Sequence, residues 1–68
     1  MTPPNTVPID WQEFQQLLEV PIPVLCFNCL QKHWIIVYAT NCKYDKEGFE
    51  KSGLRIAAHD YRYYFGQP

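Results

Sequence analysis

Trp34-Ile35-Ile36-Val37-Tyr38-Ala39 is a run of six consecutive apolar residues in a chain of 68. Its residues are mostly β-branched or aromatic, and with His33 and Thr40 at its ends it reads as a strand over residues 33–40. A half-buried strand alternates apolar with polar positions. This one is apolar on both faces, as is a central strand or a strand at a partner's surface. Trp34, Ile36 and Tyr38 fall on one face, and Ile35, Val37 and Ala39 on the other. Helices from a chain this short cover one of those faces, so the other is expected to meet a partner.

The length of the chain sharpens this expectation. A domain of about 60 residues buries only about 60% of the surface its unfolded chain exposes. Ordering it costs roughly 100 kcal/mol at about 1.5 kcal/mol per residue, so nearly every large side chain has to contribute to one core, or a staple, metal or partner has to help. With 47% hydrophobic and 16% aromatic residues the chain has enough to bury, which argues against disorder of the domain.

Upstream of the apolar run, residues 1–8 hold three of the six prolines and no apolar periodicity, and read as an extended, flexible lead-in. The compact domain is expected over residues 9–66, with residues 67–68 as a tail. Asp10 is a good N-cap, Glu13 stands three positions later as in a capping box, and Ile9 and Phe14 occupy the positions of a hydrophobic staple. A helix over residues 11–19 follows, with Trp11, Phe14, Leu17 and Leu18 on its apolar face. Pro21 stops it. Residues 24–27 read as a short strand whose neighbouring prolines suit a strand start or an edge, paired antiparallel with residues 33–40.

Downstream, Asp45 is a second N-cap with Tyr44 and Phe49 at the staple positions, and Gly53 ends that helix. Residues 54–58 and 61–65 then read as strand, either bent near His59-Asp60 or divided by a turn there. In the second stretch, Tyr61, Tyr63 and Phe65 are expected on the inner face, with Arg62 and Tyr64 outside. The expected fold class is α+β: a small antiparallel sheet of three to four strands with one or two short helices on one face, in the order α-β-β-α-β with room for a further β.

Cys26-Phe27-Asn28-Cys29 is a C-x-x-C, a spacing that lets two thiolates approach one metal or one another. His33 and Cys42 would complete four ligands by type. A strand over residues 33–40, however, holds those two apart by nine residues, or roughly 30 Å at about 3.3 Å per residue. A three-ligand zinc set of Cys26, Cys29 and His33 remains, with His59 as a candidate fourth. Against a redox dithiol, the residues after Cys29 lead straight into a strand, so no helix N-terminus stabilises a thiolate. No Gly-rich phosphate loop or H-E-x-x-H pattern is present, and two histidines in so small a domain do not suggest an enzyme.

A net charge of −1 removes the electrostatic warrant for a nucleic-acid or anionic-membrane partner. The N-terminal residues show no export signal, and three cysteines make an odd count, so a reducing cytoplasm is the expected compartment. The function expected is that of a non-enzymatic protein-binding module: an inhibitor, adaptor or assembly factor for a larger protein. Its expected contact residues are Trp34, Ile36, Tyr38, Arg62 and Tyr64, since aromatics and arginine dominate interface hot spots. A homodimer is the first variant of that reading. The alternatives are a structural zinc domain built on Cys26, Cys29 and His33, with zinc the only cofactor considered, and a C-x-x-C redox protein.

Overall fold

A computed structural model describes residues 2–66, so the tail expected at 67–68 lies outside the described residues. The elements are β1 (Thr6–Pro8), α1 (Trp11–Leu17), β2 (Pro23–Asn28), β3 (His33–Tyr38), a 3-10 turn (Ala39–Asn41), α2 (Lys46–Ser52), β4 (Arg55–Ala57) and α3 (Ala58–Phe65). The fold is α+β, with one antiparallel four-stranded sheet in the order β1-β4-β2-β3.

The two capped helices form where their local signals place them. The Asp10 side chain accepts from the Glu13 backbone N–H at 2.8 Å, and Glu13 Oε1 accepts from the Asp10 backbone N–H at 2.9 Å, closing the capping box. Asp45 caps α2 through the Gly48 N–H at 2.8 Å, and Gly53 ends it in the left-handed region at φ 66°. α1 stops at Leu17, earlier than residue 19, and Leu18 turns outward.

Three stretches differ from expectation, each for a non-local reason. Residues 1–8 include a strand: Thr6, Val7 and Pro8 pair with Ala57, Ile56 and Arg55. Arg55 clamps that strand by donating from Nε to Thr6 Oγ1 at 2.8 Å and from Nη2 to the Thr6 carbonyl at 2.9 Å. β3 ends at Tyr38, because the chain turns at Ala39, which is wholly buried in the core. Residues 61–65, expected as strand, belong to helix α3, and the expected bend at His59-Asp60 lies inside that helix. Tyr61 and Phe65 share a side under either reading, being four apart; Tyr63 discriminates, and it is 80% exposed rather than lining an inner face. Tyr61 donates to Glu13 Oε2 at 2.7 Å, so one carboxylate both caps α1 and holds α3.

The strand registers sort the sheet into two faces. Val7, Ile56, Val24, Cys26, Ile35 and Val37 lie on one, and Thr6, Pro8, Arg55, Leu25, Phe27, Trp34, Ile36 and Tyr38 lie on the other. Phe14 and Leu17 of α1 and Phe49 of α2 join Val24, Leu54 and Ile56 in the core, with Tyr61 and Phe65 of α3 packed against it. Phe14 stacks on Phe49 at 4.9 Å between ring centroids and meets Trp11 and Tyr44 as well. All three helices thus serve the first face.

Candidate functional site: the uncovered sheet face

Among the described residues, no helix lies over the second face. Cross-strand pairing sets Leu25 opposite Ile36, Phe27 opposite Trp34 and Pro23 opposite Tyr38, so the apolar positions of β2 and β3 form one continuous patch. Phe27 and Trp34 meet edge to face at 5.6 Å. Ile36 is 71% exposed, Tyr38 49% and Phe27 37%, which is unusual for three large side chains on adjoining strands. Arg55 stands opposite Leu25 at the edge of this patch, held in place through Thr6. Beside Tyr38 the patch runs into a groove of about 310 Å³ lined by Leu18, Glu19, Val20, Pro21, Tyr38 and Thr40.

Of the five contact residues expected from the sequence, Trp34, Ile36 and Tyr38 are together on this face. Arg62 and Tyr64 are exposed but belong to α3, whose principal sheet contacts are with β4 and β1, away from β3. The structure does not bring these two sets together. Leu25, Phe27 and Arg55 join the face without having been expected there. Their alternation in sequence was visible, but which way each side chain points depends on pairing register, a property of two strands at once.

The thiols separate. Cys26, on the covered face, lies 3.2 Å from the Tyr44 hydroxyl, whereas Cys29 is exposed in the turn between β2 and β3. That turn is shaped by Asn28, whose side chain accepts from the N–H groups of Leu30 and Gln31, and by Lys32 at φ 58°. His33 directs Nδ1 to the Gln31 carbonyl at 3.2 Å, and His59 Nε2 lies 3.2 Å from Asp60 Oδ1. Among the described residues no three His, Cys, Asp or Glu side chains are grouped to hold a metal ion, so the expected Cys26, Cys29 and His33 set is not assembled. The alternation of β2 and its turn send the two cysteines into different surroundings. Cys29 leads through the turn into β3, with no helix between, which leaves the C-x-x-C without the dipole a redox thiolate uses.

Cys26 instead neighbours Cys42 and Tyr44 at the edge of the core. Burial pushes the Cys42 thiol above its ordinary 9.0, with Cys26 beside it adding to the shift. The contact with Cys26 pushes the Tyr44 hydroxyl well above its ordinary 10.0, with burial second. Both groups hold their protons more tightly folded than unfolded, so their contribution is complete below pH 9 and is lost as pH rises past the unfolded values of 9.0 and 10.0. Thermal melts at pH 7 to 11 should show a stable plateau to about pH 9 and a falling Tm beyond it, with the fall reduced in Tyr44→Phe.

No helix is long and apolar enough to cross a membrane among the described residues. Comparisons with protein-family models, with curated proteins and with solved structures find no match to this chain.

Proposed function

We propose that this chain is a non-enzymatic docking module that binds a larger protein, as inhibitor, adaptor or assembly factor, through the uncovered face of its sheet. The observation that carries this reading is the continuous patch in which the exposed Phe27, Ile36 and Tyr38 adjoin the half-buried Trp34, with Arg55 at its border. Tryptophan, tyrosine and arginine are the residue types that dominate interface energetics. A rigid sheet also presents them without the ordering cost of a flexible loop. A net charge of −1 argues for a protein partner over nucleic acid, and three free thiols fit work in a reducing cytoplasm.

The test is capture from host extract with three immobilised forms: wild type, Phe27→Lys on the face, and Gln16→Lys on the exposed side of α1. A genuine face partner is retained stoichiometrically by wild type and Gln16→Lys. Its affinity drops about thirtyfold in Phe27→Lys, the equivalent of a hot-spot loss of about 2 kcal/mol. Equal retention by all three forms, or saturable binding by none, refutes the reading.

A further inference from the structure

The sheet has two edges, β1 and β3, and they differ sharply. β1 is three residues long, ends in Pro8 and follows Pro3-Pro4, which blunts it as a template for another strand. β3 has six residues and carries no proline, glycine, lysine or carboxylate. β2 occupies one side of β3; among the described residues no strand pairs with the other side, and the sequence of β3 has none of the usual guards against strand addition.

The side chains of β3 are also self-complementary. Trp34 and Tyr38 flank Ile36 at two residues' distance on the uncovered face, and Ile35 and Val37 flank it at one residue on the covered face. Antiparallel pairing of two β3 strands with Ile36 opposite Ile36 therefore sets Trp34 against Tyr38 of the partner and Ile35 against Val37 of the partner. Like faces meet; a shift by one residue would oppose covered to uncovered face across the joint. Within His33–Tyr38 no Lys, Arg, Asp or Glu is present, so no like charges oppose along the joint.

We propose that two copies of this chain join their β3 edges antiparallel about a twofold axis through Ile36, making one eight-stranded sheet. An edge joint of this length is smaller than the roughly 1,200–2,000 Å² of a standard stable interface, so the dimer forms in a concentration-dependent way. It leaves the uncovered faces open, side by side, and does not depend on the docking reading above.

Sedimentation of the purified full chain over a range of concentrations should show a monomer–dimer equilibrium. Ile36→Lys and Ile36→Glu, at a position 71% exposed, should keep the wild-type melting temperature. Each should weaken self-association about tenfold or more by placing like charges on the axis, and an equimolar mixture of the two should restore a 1:1 dimer. Hydrogen exchange should show the β3 amides that point away from β2 gaining protection as dimer forms. A wild type that stays monomeric at every concentration, a dimer indifferent to both variants, a mixture that fails to restore it, or a dimer without new β3 protection overturns the proposal. Phe27→Lys, in β2, should dimerise as wild type does, so failure of the dimer and failure of partner docking are read separately.

Discussion

Phe14→Ala should unfold this domain or bring it to the edge of unfolding. Phe14 is 1% exposed and stands where the two capped helices meet: it stacks on Phe49 of α2, lies against Trp11 in its own helix, and contacts Tyr44 at the start of α2. Removing a buried phenylalanine ring costs about 3–5 kcal/mol, the lost transfer energy plus a cavity the surroundings refill only in part. Small domains hold about 0.05–0.15 kcal/mol per residue, so the loss is comparable to the whole stability of a chain this short. Circular dichroism melts should lose their cooperative transition or move it down by more than about 15 °C, at roughly 4–8 °C per kcal/mol. A shift of only a degree or two would mean that the helices do not share a core through this ring.

Ile56→Ala should have the next largest effect, a loss of about 2–5 kcal/mol by chemical denaturation. β4 lies in the middle of the sheet, yet it is three residues long and meets β2 at the single pair Leu25 and Arg55. So thin a ladder contributes little by itself, and the fully buried Ile56 side chain, opposite Val7 of β1, carries the joint between the two halves of the sheet. Ile36→Ala is the matched control: the same change on the uncovered face removes a side chain that already sits in water, and should shift stability by no more than about 0.5 kcal/mol. Similar losses in the two variants would show that the exposed face contributes to folding, against its assignment as a binding surface.

The contrast between these two isoleucines shows what could be read from sequence and what could not. Both sit in apolar stretches of strand-forming residues, and composition cannot tell them apart. The division of β3 into Trp34, Ile36 and Tyr38 against Ile35 and Val37 follows from alternation alone. Which of the two sets is left bare depends on where α1 and α2 land. The thiol motif carried less information than its spacing suggested, because two cysteines three apart in a strand and its turn need not converge.

The sequence by itself determined the two capped helices and the strand at the centre of the reading. Asp10 with Glu13, Asp45 with Gly48 and the β-branched run of β3 act through contacts a few residues apart, which neighbours in the chain can specify. Only the tertiary structure decided the rest. The proline-rich start became a strand because Arg55 and the β4 ladder, some fifty residues away, receive it. Tyr61 to Phe65 became helical because Glu13 and the core reward a four-residue spacing over an alternating one. The exposed edge and face of β3 exist because the helices, at this length, can cover one side of the sheet and no more.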